Sequence, residues 1–433
     1  MTNISPSPTE LSKLIDQILS TREQHLVHRP LRATVTSIDA VTARFLDPLS
    51  DERRELESLL PNETGLSSEM ISHTLPLIFR EYRAERLVRL LQDELGDLNA
   101  LDTFVSINGR QHRAYGPTLT THVLAGNLPG AGLDSVIFSL LVKSATLVKA
   151  SSTAPRLPTL FAETLAQVDP GLGRCLAVVT WPGGNTPLEE VAFSRAELVI
   201  ASGSDKSLAT IRPQVRGKFI EYGHKVSFAV ITKEALNDTY TVARKAAYDI
   251  ALFDQQGCLS PQLIYVEEGE VIAPHTFAAV LAEALAEWER TLPRGPVPQE
   301  ASVAIRRTRD EAEWQALAGK EMALYASPNG TAWTVVLDPD PTFVPSPLYR
   351  TIRIKPFSSL TQLHELLTPW RPYLEAAGLA AHATRNMQLV EVLGQAGVSR
   401  ICPIGTMQLP PLSWRHGGRP RIADLVRWIE IEG

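Results

Sequence analysis

A chain of 433 residues, 44% hydrophobic and with a formal charge of −6, can bury more than one core, and its acidic balance argues against nucleic acid or an anionic membrane as a general partner. Its three cysteines, Cys175, Cys258 and Cys402, are odd in number and widely spread, which argues against a disulfide framework or a CxxC metal site and for a reducing compartment.

The first thirty residues place Pro6, Pro8, Glu10 and Asp16 before any basic run, unlike a secretory signal, and the most apolar stretch, 136–142, is too short to cross a bilayer. A cytoplasmic location is the expectation. Helical spacing of Leu11, Leu14, Ile15 and Ile18, and again of Leu87, Leu90 and Leu91, predicts a helical entry segment over residues 1–110.

From 119 the pattern changes. Strands are predicted at 119–125, 145–150, 175–181, 197–201 and 218–222, separated by helices near 133–142, 157–168 and 188–194 and by one opening after Ser202-Gly203-Ser204. Strands and helices alternating at this length imply right-handed crossovers and a doubly wound, Rossmann-type sheet in residues 111–225, with ligands bound beyond the carboxyl ends of its strands. A GxGxxG fingerprint is missing. Pro182-Gly183-Gly184 and Ser202-Gly203-Ser204 are small-residue turns at strand ends, where backbone N–H groups can meet a phosphate; plain turn chemistry explains them about as well.

A second α/β domain is predicted over 226–405. It has strands at 226–231, 263–266, 332–337 and 351–354, helices at 238–252, 277–289, 311–318, 360–367 and 387–393, and a proline-rich loop at 294–298. The C-terminal segment, 406–433, is predicted to end in a helix over 422–429. Between the helix 238–252 and the strand after it lies Phe253-Asp254-Gln255-Gln256-Gly257-Cys258-Leu259-Ser260-Pro261. A free cysteine is usually a small buried hydrophobe, but this one keeps polar company around a glycine. Cys175 and Cys402 lie in apolar strands and read as core.

From about Thr118 to the C-terminus, the order of landmarks resembles the aldehyde dehydrogenase superfamily, and within it the LuxC-like acyl-CoA reductases. The strings that carry the resemblance are Ala-Gly-Asn-Leu-Pro-Gly with Asn127, Val-Lys-Ala-Ser-Ser with Lys149, Gly203-Ser204, Tyr-Gly-His-Lys-Val-Ser-Phe, the Gln-Gly-Cys of Cys258, Arg-Ile-Cys-Pro-Ile-Gly, and Trp414 with His416-Gly417-Gly418. The resemblance implies a Rossmann-type dinucleotide-binding domain joined to an α/β catalytic domain. It implies Cys258 as nucleophile, Asn127 as oxyanion donor together with the Cys258 backbone N–H, and Lys149 on the adenosine ribose.

The implied reaction is reduction of a fatty acyl-CoA, or another acyl thioester, to the free fatty aldehyde through a thioester on Cys258. Ser152 stands three residues past Lys149, where NAD-preferring relatives commonly carry a glutamate; this favours NADP(H). Asp254, if ionised and close, would oppose a thiolate, so its carboxylate is expected to point elsewhere. Glu221 lines up with the water-activating glutamate of ordinary aldehyde dehydrogenases, which keeps oxidation of aldehyde to acid open as an alternative. His224 reads as a half-buried structural histidine or a base. A catalytically silent acyl-acceptor or scaffold subunit is the alternative from another class. The resemblance further implies a homo-oligomer and, with it, a partner subunit that delivers acyl groups as acyl-protein thioesters.

Overall fold

Helix α1 (Pro8–His25) is opened by Ser7, whose hydroxyl accepts the Glu10 N–H at 3.3 Å while the Glu10 carboxylate accepts the Ser7 N–H at 2.7 Å, a reciprocal cap that satisfies two orphan donors. The computed structural model describes residues 5–269 and 274–432. It separates into two units: Met1–Thr64, Ser72–His224 and Pro411–Gly433 form the first, and Gly65–Ile71 with Lys225–Pro410 the second.

In the first unit, α1 is followed by α2 (Leu31–Leu46), α3 (Asp51–Thr64), α4 (Ser68–Phe79), whose first turn belongs to the second unit, and α5 (Ala84–Leu95). Helices α1 to α5 fill most of residues 8–95. Then come β1 (Val105–Ile107), β2 (Arg110–Tyr115), β3 (Leu119–Val123), α6 (Leu133–Leu141), β4 (Ala145–Ala150), α7 (Arg156–Val168), α8 (Pro170–Gly173), β5 (Leu176–Thr180), α9 (Thr186–Ser194), β6 (Leu198–Ser202), α10 (Asp205–Ile211) and β7 (Lys218–Tyr222). Strands β3 to β7 form one parallel sheet in the order β5-β4-β3-β6-β7. Leu11, Ile15 and Ile18 of α1 share a core with Leu119, Leu147 and Val199 of that sheet. Chain order reverses between β3 and β6, so the ligand crevice of such a sheet lies past their carboxyl ends.

The second unit contains β8 (Val226–Ile231), α11 (Thr239–Ala251), β9 (Pro261–Glu267), α12 (Pro274–Thr291), α13 (Gln299–Leu317), β10 (Ala323–Ala326), β11 (Thr334–Leu337), β12 (Thr351–Phe357), α14 (Leu360–Leu367), β13 (Leu374–Ala380), α15 (Ala383–Gln395) and β14 (Arg400–Pro403). Its sheet runs β10-β11-β12-β9-β8-β13-β14 and is parallel except for β10. Every residue of β9 is buried, as a central parallel strand with both faces covered requires. Ala247, Ile250, Phe277 and Leu281 bring α11 and α12 onto one core; Leu363, Leu367, Leu389 and Leu393 bring α14 and α15 onto the other.

The chain returns to the first unit through β15 (Arg427–Ile431), which pairs antiparallel with β2, Arg427 opposite Tyr115 and Ile431 opposite Gln111. The helix expected over 422–429 is therefore corrected to a single 3-10 turn, Ala423–Leu425, and a strand. Trp428, Ile429 and Ile431 are strand formers, and β2 supplies the backbone partners that a local reading does not see.

Candidate active site

Past α11 the backbone enters the left-handed region at three successive non-glycine residues, Phe253 (φ 52), Asp254 (φ 52) and Gln255 (φ 63), and then reaches Gly257 and Cys258. Cys258 is exposed, whereas Cys175 and Cys402 are buried, so the two cysteines read as core are core. The Cys258 carbonyl accepts the Ser227 hydroxyl at 2.7 Å, and Ser227 Oγ in turn accepts the Ala376 N–H at 3.2 Å. Ser227 is fully buried and sits where the ladders of β8 with β9 and with β13 both lose register. A Cβ on Gly257 would lie 2.4 Å from Gln408 Oε1, so only glycine allows this approach. Gln408 Nε2 is itself tied to the carbonyls of Asp249 and Leu252, at 3.0 and 2.7 Å.

The Cys258 residue is open to solvent, but its sulfur is crowded by protein, and the acidity of the thiol follows the sulfur. Desolvation, with the negative charge of Glu375, pushes the thiol up to about 12; the N–H groups of Cys258 and Leu259 and the Arg400 guanidinium pull the other way. Asp254 is buried and its carboxylate is committed to Arg350, at 2.6 and 3.0 Å, and to the Gly295 N–H at 3.0 Å. An acid four positions before the thiol is thus neutralised by an arginine, which meets the expectation that it would not serve the sulfur.

The other candidates lie on the first unit, at the carboxyl edge of its parallel sheet. Asn127 is exposed in the loop after β3. A Cβ on the preceding Gly126 would fall 2.2 Å from Ser151 Oγ, so the loops after β3 and β4 touch. Lys149, near the end of β4, is half-buried; burial pulls its ammonium below the ordinary lysine range, and Glu189 opposes that pull. Ser152 donates its hydroxyl to the Trp181 carbonyl at 3.3 Å. Open space surrounds Gly183 and Gly184, and the Gly184 N–H is held by Glu189 Oε1 at 2.8 Å. Gly203 precedes Ser204, whose hydroxyl caps α10 through the Ser207 N–H at 3.2 Å. Open glycine turns, a desolvated cation and a hydroxyl at a switch point are the donor set that a dinucleotide needs.

Glu221, on β7, is ion-paired with Arg212. His224 is exposed rather than half-buried, and its backbone N–H donates to Asp205 at 3.1 Å. Sequence reasoning missed Ser227, Gln408, Glu189 and Arg350. Glu189 alone left a local signal, a carboxylate on the helix just after a glycine turn.

The family model for acyl-CoA reductase (LuxC) matches residues 28–428. A long-chain acyl-protein thioester reductase from Aliivibrio fischeri is 24% identical over 351 residues, covering 80% of this chain and 70% of that one. Among solved structures, an oxidoreductase from Marinobacter aquaeolei superposes with a TM-score of 0.78 at 13% identity, covering 99% of this chain and 91% of that one. Aldehyde dehydrogenase C of Pseudomonas syringae, a mutant form complexed with NAD+ and octanal, gives 0.76 at 11% identity, with 99% and 89% covered. At such identity these likenesses establish the fold, which is that of the aldehyde dehydrogenases.

Proposed function

Since the chain belongs to the LuxC acyl-CoA reductase family, we infer that it reduces a long-chain acyl thioester, carried on CoA or on a partner protein, to the free aldehyde, with NADPH as reductant. Cys258 Sγ gives up its proton and bonds to the thioester carbonyl carbon. The oxyanion so formed takes hydrogen bonds from the Cys258 N–H and the Asn127 amide, and its collapse expels the donor thiol and leaves an acyl thioester on Cys258. When bound, the dinucleotide would supply the hydride that, with a proton from water, converts this acyl group to a thiohemiacetal. Breaking the C–S bond then releases aldehyde and returns the Cys258 thiol.

Lys149 and Ser152 would hold the adenosine ribose and its 2′-phosphate; Gly203, whose own N–H is bonded to the Tyr222 carbonyl at 3.2 Å, would give the pyrophosphate room, and the turns at Gly183 and Ser204 would offer it backbone N–H groups. The observation that supports the reading most is the placement of Cys258: it alone among the three cysteines is exposed, and its carbonyl is fixed from behind by Ser227. Pairing of Glu221 with Arg212 speaks against a hydrolytic base there and so against aldehyde oxidation. Assembly of more than one copy and residence in the cytoplasm belong to the same reading.

The test is to incubate the protein with long-chain acyl-CoA labelled in the acyl group, and then to add NADPH. Label should appear on the wild type, be absent from Cys258→Ser, and leave as aldehyde once NADPH is present. A protein that takes up no label, or a label that stays on the protein with NADPH, retires the proposal.

A further inference from the structure

The left-handed run 253–255 has a counterpart. Leu348 (φ 67), Tyr349 (φ 51) and Arg350 (φ 61) are likewise consecutive and left-handed, a state that non-glycine residues keep only when their surroundings over-determine it. The two runs are bound to each other. Arg350 Nε and Nη2 both donate to Asp254 Oδ1, at 3.0 and 2.6 Å, and Arg350 Nη1 donates to Glu289 at 2.7 Å. Thr351 N–H donates to Gln255 Oε1 at 2.8 Å, while Gln255 Nε2 donates to the carbonyls of Thr351 and Pro261, at 3.0 and 2.8 Å. The register of β12 on β9, Arg353 opposite Leu263, puts Thr351 opposite Pro261, which has no N–H for the ladder. The Gln255 side chain supplies that missing rung. Asp254, Gln255 and Arg350 are all buried, and the first run ends three residues before Cys258.

We propose that Asp254, Gln255 and Arg350 are positioning residues, locking the two left-handed runs together so that the Cys258 loop presents its sulfur to the acyl thioester. The proposal rests on Cys258 being the acylated nucleophile. Its function is geometric: none of the three touches substrate, yet a shift of about 1 Å in a nucleophile costs up to about a hundredfold in rate.

The test compares Asp254→Asn, Arg350→Gln and the double variant with the wild type. Arg350→Gln strands the buried Asp254 carboxylate, and Asp254→Asn leaves Arg350 with Glu289 alone, so each single change destabilises the fold; in the double change two neutral amides face each other and Glu289, part-exposed, keeps the Arg294 N–H at 3.2 Å, so most of the stability returns. In the double variant the melting temperature should recover, but kcat for aldehyde formation and the single-turnover rate of Cys258 acylation should stay about 10- to 100-fold down, with KM for acyl-CoA and NADPH unmoved. A second readout, alkylation of Cys258 by iodoacetamide against pH, should shift to lower pH as the loosened sulfur regains water. Should the double variant fail to fold, Gln255→Met, which changes no charge, carries the same two measurements. Wild-type acylation and alkylation rates in a folded variant overturn the lock. A wild type that forms no aldehyde, but whose alkylation profile moves in the variants, overturns the functional reading and keeps the lock.

Discussion

Desolvation that pushes the Cys258 thiol up to about 12 leaves it almost wholly protonated at neutral pH, because each unit below the pKa cuts the thiolate tenfold. On the proposed reading Cys258 is then a masked nucleophile at rest, and its proton would have to leave as the sulfur meets the carbonyl. Alkylation of the apo protein by iodoacetamide should accordingly rise about tenfold per unit from about pH 7 to about pH 10 without levelling. A plateau near about 8.5, the ordinary cysteine value, would show that the sulfur is not desolvated. Asn127 tests the other half of the first step. Replacing it with alanine should lower kcat by on the order of a hundredfold and leave the alkylation profile unchanged. If kcat holds, the oxyanion has another donor.

Behind the thiol loop, α11 is tied to the segment after β14 through Asp249, whose carboxylate accepts the N–H groups of Gly405 and Met407 at 2.5 and 2.9 Å. Burial nevertheless pushes this carboxyl up to about 7, against about 3.9 in an unfolded chain. Between these values the folded protein holds a proton that the unfolded chain has lost, so stability present below about pH 4 is lost as pH rises through about 7, by up to about 4 kcal/mol from this group. Asp249→Asn should be less stable at pH 5, having one acceptor fewer, but should show a shallower loss towards pH 8. Urea midpoints at the two pH values measure this, and equal slopes in wild type and variant exclude it. The elements that were legible in sequence are those whose local pattern is self-sufficient. Strands β4, β5 and β6 are mostly apolar runs ended by Gly, Pro and Ser, and β3 and β7 are short β-type runs beside them. By contrast β2, Arg-Gln-His-Arg-Ala-Tyr, is polar; β13, Leu-Glu-Ala-Ala-Gly-Leu-Ala, lacks β-branched residues; and the segment that runs into β15 spaces Ile422, Leu425, Trp428 and Ile429 as a helix would. Each is a strand because of a partner far along the chain.

At the scale of the whole molecule, the same distinction separates the site from its supports. Cys258, Asn127, Lys149, Ser152, Gly183, Gly203 and Ser204 each sit in a short string that carries its own signal. Ser227, Arg350 and Gln408 bear on the cysteine loop from 31, 92 and 150 positions away; Ser227 lies in the string Tyr-Gly-His-Lys-Val-Ser-Phe, which does not disclose its role, and nothing in the neighbours of Arg350 and Gln408 announces theirs. The cofactor preference is also best tested on the intact chain, because a ligand that binds only the folded state stabilises all of it that unfolds together. NADPH at 100 times its Kd should add about 2.7 kcal/mol, whereas NADH at the same concentration, bound tenfold more weakly, should add about 1.4 kcal/mol. On the proposed reading the difference would stem from Lys149 meeting the 2′-phosphate where Ser152 leaves room for it. Ser152→Glu should therefore diminish the NADPH effect and spare that of NADH, read as melting temperatures of the two proteins with each dinucleotide. Equal stabilisation of the wild type by both would show that no group in this chain reads the 2′-phosphate.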